Sequence, residues 1–241
     1  MKGPSGLCCK PVLVCSGPVY ILVMDIPLKR IATSLLSTVL TAVSFQASAD
    51  YDTLFLDLAQ GDAITNARIG IGETPRGEEG EKVTSMFYLG YYQSDDLVKF
   101  EDSNIPTSSH EVEILTLGAG GFGYLENPNK NGGAEFDFEL SKTTVDSLDY
   151  DRTGIGFRTQ LFIPMVAGFQ TNIGFNLRPF FLSPDWDDQA QLEYEYQAGF
   201  EYAFNWDIAL YSHYRTVGLY DNDDNKVTLA EDLIFGLRAR F

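Results

Sequence analysis

The chain alternates apolar and polar positions over long runs, the period of a strand whose two faces meet different surroundings. Over 169–178, Phe169, Thr171, Ile173, Phe175 and Leu177 form one set, and Gln170, Asn172, Gly174, Asn176 and Arg178 the other. Over 155–163, Ile155, Phe157, Thr159, Leu161 and Ile163 alternate with Gly156, Arg158, Gln160 and Phe162. Over 192–204, Leu192, Tyr194, Tyr196, Ala198, Phe200, Tyr202 and Phe204 alternate with Glu193, Glu195, Gln197, Gly199, Glu201 and Ala203. Such runs match the ~9–11 residues with which a tilted strand crosses a bilayer. Weaker strands are expected near 51–58, 64–72, 83–93, 111–124, 134–141, 207–217 and 229–241. The fold class is therefore all-β, a transmembrane antiparallel up-and-down β-barrel of about ten strands. Eight is the alternative, if the first pair forms one irregular segment. Gly118, Gly120, Gly121 and Gly123 interrupt 111–124 and predict a bulge or sharp coiling there.

The connections predict two unlike rims. Pro164 to Gly168 and Asn205-Trp206 are short, whereas 94–110, 142–153, 180–191 and 218–228 read as longer loops rich in Asp, Asn, Ser and Pro. The turn-rich link at 125–133 fits the short side only loosely.

The N-terminal region reads as an export signal. Lys29 and Arg30 precede the apolar run Ile31 to Phe45, and Ala47-Ser48-Ala49 offers a cleavage site, so the mature chain is expected to start at Asp50. Residues 24–49 make a signal peptide of ordinary length from Met24, and 1–23 read as a mis-assigned extension. The one domain is then 50–241. Cys8, Cys9 and Cys15 all precede Asp50, which leaves the mature chain no intramolecular disulfide. Residues 1–49 hold four basic and one acidic of the chain's 17 Lys+Arg and 34 Asp+Glu, so the remainder carries 13 against 33 and a net charge of −20. Such a surface excludes nucleic acid as a partner, because binding it requires cations that displace counterions.

Alternation alone does not say which face points outward. A soluble barrel of the lipocalin kind hides its apolar face, and a membrane barrel presents it to lipid. Aromatic residues crowd the apolar face, and Tyr194, Tyr196, Tyr202, Phe204, Trp206 and Phe241 are candidates for an interfacial girdle. The polar face mixes glycine with both signs of charge, as a crowded lumen would. The final strand places Leu233, Phe235, Leu237, Ala239 and Phe241 on one face, and resembles the C-terminal signal of exported barrels. The expected location is the outer membrane of a Gram-negative bacterium. The expected partners are its lipids and lipopolysaccharide, together with the barrel assembly machinery acting on the strand that ends in Phe241. A monomer is expected.

The run Leu117-Gly118-Ala119-Gly120-Gly121-Phe122-Gly123-Tyr124, the later Phe181-Leu182-Ser183-Pro184-Asp185 followed by Glu193-Tyr194, and the end strand resemble the YfaZ family of small outer-membrane proteins. The resemblance covers most of the mature chain. It implies the barrel fold and no particular activity.

Candidate chemistry is sparse. In Tyr211-Ser212-His213-Tyr214-Arg215, neighbours on a strand face opposite sides, so Ser212 and His213 cannot act as nucleophile and base. His110 stands beside Ser108 and Ser109 at a loop edge. Asp221, Asp223 and Asn225 have the spacing that opens a calcium loop, yet Lys226 replaces its glycine and Asp232 its glutamate. Asp185, Asp187 and Asp188 form a second acidic cluster. The expectation is a chain without enzymatic activity, metal or cofactor. The strongest candidate is the polar face itself, with Arg68, Arg158, Arg178, Arg215, Arg238 and Arg240 against Glu135, Asp137, Glu139, Glu193, Glu195, Glu201 and Asp207. In an interior just wide enough for side chains these should pair and plug the lumen. The alternatives are a narrow path drawing cations past excess carboxylates and, further off, a lipid-modifying enzyme.

Overall fold

The computed structural model describes residues 53–73, 83–95, 99–100, 111–125, 131–183, 190–205 and 207–241. The expected extension 1–23 and signal peptide 24–49, His110 with Ser108 and Ser109, the cluster Asp185, Asp187 and Asp188, and Trp206 lie outside the described residues.

The strands are β1 Thr53–Gln60, β2 Ile64–Glu73, β3 Val83–Ser94, β4 Lys99–Phe100, β5 Val112–Tyr124, β6 Gly133–Val145, β7 Tyr150–Pro164, β8 Phe169–Pro179, β9 Leu192–Ala203, β10 Ile208–Tyr220 and β11 Lys226–Arg240. Ten of them, all except β4, pair antiparallel in sequence order, and β1 pairs with β11 to close the barrel. The seam runs from Phe55 opposite Arg240 to Gln60 opposite Phe235, and Leu54 and Phe241 extend it by exchanging two 2.9 Å backbone hydrogen bonds. β1 and β2 are separate strands, so ten rather than eight is the number. The fifteen-residue β11 overhangs the eight-residue β1. On that overhang Val227 and Thr228 pair with Phe100 and Lys99 of β4, a short strand that alternation did not reveal.

The two rims are the one carrying Leu54 and Phe241, here the terminal rim, and the opposite far rim. The four connections expected to be long all lie at the far rim, but two of them are tight hairpins. β6 and β7 continue to a 3-10 turn at Asp146–Leu148, with Asp149 in the left-handed region at φ 50°. β10 and β11 leave only Asp221 to Asn225 between them. There the Asp221 carboxylate accepts the backbone N–H groups of Asp223 (2.9 Å) and Asn225 (2.8 Å) and the Asn225 amide (2.9 Å).

These extensions look like loops in sequence because the pattern inverts along each strand. In β6 the outward residues run Phe136, Phe138, Leu140, then Lys142 and Thr144, while the inward ones run Glu135, Asp137, Glu139, Ser141, Thr143, Val145. Phe138 is 60% exposed while Glu135 and Asp137 are fully buried. At the far rim, Val112, Ile114, Val145, Tyr150, Leu219 and Leu229 point inward and join one apolar cluster. Outside that cluster, Lys142 pairs with Asp151 at 2.9 Å, and the Tyr91 hydroxyl donates to Glu113 at 3.0 Å. The barrel thus has an apolar exterior and charged interior over most of its height, and the opposite polarity in a collar at the far rim. On β7 the exposed apolar positions run from Ile155 to Ile163, about 26 Å along the strand and about 19 Å of height at a tilt of about 45°.

The glycine-rich β5 carries no bulge, since its register with β3 and β6 is unbroken. Gly118 and Gly120 face inward and make room. A Cβ on Gly118 would lie 2.2 Å from the Tyr88 ring, and one on Gly120 would lie 2.0 Å from the Asp137 carboxylate. The register shift occurs between β10 and β11 at Val217 and Gly218.

Candidate functional site

Period-two alternation aims one side chain in two at the lumen, and ten strands bring these together as stacked layers. β1 supplies Asp57; β6 supplies Glu135, Asp137 and Glu139; β9 supplies Glu193, Glu195 and Glu201. The cations come from β2 (Arg68), β7 (Arg152 and Arg158), β8 (Arg178), β10 (Arg215) and β11 (Arg238 and Arg240). All are buried, seven arginines against seven carboxylates among the described residues. An ion isolated in such an interior would carry a penalty of several kcal/mol, so both signs must be present together.

The groups near the terminal rim form one cluster around three arginines. Arg68 holds Asp57 at 2.6 Å and Glu135 at 2.8 Å. Arg238 reaches Glu201 at 3.2 Å and Asp57 at 3.7 Å, and Arg240 lies 3.7 Å from Glu135. The remaining lone pairs of Glu201 accept from Gln170 (2.7 Å) and Asn172 (2.8 Å), with His213 Nε2 at 3.0 Å. The Tyr211 hydroxyl donates to Asp57. A second cluster lies toward the far rim. Arg215 binds Glu195 at 2.9 Å, while Arg178 reaches Glu193 (3.4 Å), Glu195 (3.8 Å) and Glu139 (3.9 Å). Tyr150 (2.7 Å) and Thr143 (3.0 Å) donate to Glu193, which also stands 3.9 Å from Arg152. The Tyr88 hydroxyl joins the clusters, 2.7 Å from Glu139 and 3.1 Å from Asp137.

Aromatic rings on the inward face complete the packing. The Arg240 guanidinium sits 3.9 Å from the Phe122 centroid, Arg238 4.6 Å from Phe162, Arg215 4.7 Å from Tyr92 and Arg68 5.0 Å from Phe55. These are attractive cation–π distances. Toward the far rim the apolar cluster lies on the inward face. At the terminal rim, buried Asn131 donates to the Phe169 carbonyl at 3.0 Å, and the Gly132 N–H donates to the Gln170 side chain at 2.7 Å. Two cavities near these layers measure about 20 Å³ each, one at the terminal mouth beside Arg238 and Arg240 and one in mid-lumen. Each is the size of about one water.

Most of the charges read from the sequence meet here: Arg68, Arg178, Arg215, Arg238 and Arg240 with Glu135, Asp137, Glu139, Glu193, Glu195 and Glu201. Asp207 does not. It is exposed in the turn between β9 and β10, where its carbonyl accepts the Arg240 backbone N–H at 2.7 Å. Arg158 lies in the lumen without an ion pair. Its guanidinium donates to Gln160 at 3.1 Å, and no carboxylate comes within 4 Å among the described residues. The expected surplus of lumen carboxylates is absent too, because Asp207 leaves the set while Asp57 and Arg152 enter it from segments with weak alternation. Neither these two nor the inward aromatics stood out in sequence, although period-two counting from Arg158 back to Arg152 gives the right face for Arg152.

Tyr202 and Phe204 stack edge-to-face at 5.0 Å near the terminal rim, with Phe169 4.9 Å from Tyr202 and exposed Phe241 on the same rim. Tyr196 is exposed toward the other end. Tyr194 stacks on it at 6.1 Å, yet is buried over Gly218 rather than displayed. His213 is in the lumen and Ser212 on the opposite face, as the alternation requires. The calcium-like spacing has a different use. Asn225 holds the Asp221 carboxyl below its ordinary pKa by hydrogen bonding, and Asp232 accepts the N–H groups of Ala63 (2.9 Å) and Ile64 (3.3 Å) at the β1–β2 turn. No group of residues suited to a metal ion occurs among the described residues.

Fold and site together define a class: a closed, ten-stranded, up-and-down antiparallel barrel with an apolar wall and a charge-paired interior. No protein-family model matches the chain, and no curated protein matches it. Among solved structures it is similar to the NanC porin, at 10% identity over 78% of this chain and 98% of that one, with a TM-score of 0.36. It is also similar to the KdgM porin, at 10% identity over 78% and 99%, with a TM-score of 0.32. A third similarity is to outer-membrane OmpT of Vibrio cholerae, at 12% identity over 74% of this chain and 56% of that one, with a TM-score of 0.32.

Proposed function

We propose that this chain is an outer-membrane barrel of a Gram-negative bacterium that serves the envelope structurally, with its lumen closed to solutes. The observation that carries this reading is the balance of seven buried arginines and seven buried carboxylates. The inward-facing apolar cluster toward the far rim supports it. The apolar wall, with rings near its edges, suits lipid, since only a closed barrel satisfies strand backbone groups inside a bilayer. Export through residues 24–49, contact with lipopolysaccharide at the collar, insertion by assembly machinery reading the strand that ends in Phe241, a monomeric state and YfaZ-like kinship belong to the same reading. No catalytic role is proposed for His213, which is engaged with Glu201.

Planar-bilayer recording tests the closed lumen, with insertion verified by heat-modifiable gel mobility. The wild-type barrel should show little or no steady conductance. Exchanging Arg158 and Arg215 for Ser leaves five arginines against seven carboxylates and should open a small cation current. A large, stable wild-type pore would overturn the reading in favour of a channel.

A further inference from the structure

The mid-lumen cavity is electrically lopsided although the lumen as a whole is neutral. Arg68, Arg158, Arg178 and Arg215 line it from four strands, and the only carboxylates in its lining are Glu139 and Glu195. Arg68 spends its two terminal nitrogens on Asp57 and Glu135, which are not in the lining, and Arg178 divides its charge between Glu193 and the two lining carboxylates. Arg158 is more than nine-tenths buried and gives one hydrogen bond to neutral Gln160, with no carboxylate within 4 Å among the described residues. The Nε groups of Arg68, Arg178 and Arg215 are buried without acceptors. Four cations, two anions and unmet N–H donors surround a space of about 20 Å³, the size of one water or one small ion.

We propose that this cavity is a binding site for a single small monovalent anion, a halide in size and charge, with Arg158 as its principal ligand. Such an ion supplies the acceptor that the unmet donors lack. It also gives Arg158 an anion in direct contact, which the protein does not supply, since Asp137 opposite it on β6, with Glu135 and Glu139, acts on it only from beyond 4 Å. The volume excludes carboxylated sugars and phosphate esters. The inference goes beyond the closed-barrel reading and rests on it, because an open lumen would let the ion exchange freely.

The test uses the whole barrel refolded from urea in sodium bromide, so that the ion enters before closure. Anomalous diffraction at the bromine edge should show one peak inside the barrel, within about 3.5 Å of an Arg158 nitrogen. The urea midpoint should be higher in bromide or chloride than in gluconate at equal ionic strength, as ligand linkage requires. Arg158→Gln should remove both the peak and the difference. A wild-type cavity filled by water alone, bromide found only on the surface, or equal midpoints in halide and gluconate would overturn the site. Conductance reads the closed lumen independently of bromide density, so failure of one is distinguishable from failure of the other.

Discussion

Exchanging Arg68 for Met keeps an unbranched apolar stem and removes the charged guanidinium. Arg68 makes two short charge-assisted hydrogen bonds, to Asp57 at 2.6 Å and Glu135 at 2.8 Å, and all three groups are essentially out of solvent. Each such bond contributes about 1.5–3 kcal/mol, and removing one partner of a buried ion pair costs about 3–5 kcal/mol through the charges left behind. Here the lower end applies, near 3 kcal/mol, because Arg238 and Arg240 each stand 3.7 Å from one of the stranded carboxylates and take up part of the charge. Against a domain stability of roughly 5–15 kcal/mol the loss is large. Urea unfolding in lipid vesicles, followed by heat-modifiable mobility, reads it directly. Adding Asp57→Asn to Arg68→Met removes the charge that Arg68 held most closely, so the double variant should recover at least about 1 kcal/mol of the single variant's loss. A single variant within about 0.5 kcal/mol of wild type would refute the reasoning, since it would mean that water, rather than Arg68, compensates those carboxylates.

Two further outcomes follow from the polarity of the wall. Phe138→Arg, in the middle of the exposed apolar band of β6, should cost about 2–4 kcal/mol if it faces the bilayer core. Thr144→Arg, on the same face within the collar, should change stability by less than about 0.5 kcal/mol, and equal urea midpoints for the pair would count against a membrane exterior. Gly118→Ala places a methyl against the Tyr88 ring and should lower the urea midpoint by an amount equivalent to about 1–3 kcal/mol of overpacking. Adding Tyr88→Phe should not rescue it, because the overlap is with the ring rather than the hydroxyl.

Much of the barrel was legible because period-two alternation is a local property. Counting alternate residues is clearest along β7, β8 and β9, and the same period, weaker elsewhere, gives the other seven barrel strands, their faces and most of the lumen charges. Where the surroundings of a strand change along its length, the rule keeps the period and loses the sign. Lys142 to Arg152 and Gly218 to Thr228 read as loops because their outward residues turn polar above the apolar band, although the backbone continues unbroken. The glycines of β5 misled for another reason. A bulge and a space for a neighbour's ring have the same local signature, and only the long-range partner, Tyr88, distinguishes them. Asp207 carries the inward parity only by extending alternation one residue before the start of β10. Partner choice was not legible at all. That Arg215 meets Glu195 while Arg158, opposite Asp137, makes no ion pair depends on register between strands and on the reach of the side chains, which no single strand encodes.

The seam between β1 and β11 governs how the molecule can come into being. Asp57 meets Arg238 only across that seam, and Arg240 reaches Glu135 only once the seam has brought β11 beside β1. A curved, unclosed sheet would leave these arginines facing acyl chains with no counter-charge, and its two edges with unbonded backbone groups. Neither a half-inserted sheet nor a barrel lacking its last strand has a comfortable resting place in lipid. Assembly should therefore be concerted, with membrane entry, seam zippering and neutralisation of the interior occurring as a single event.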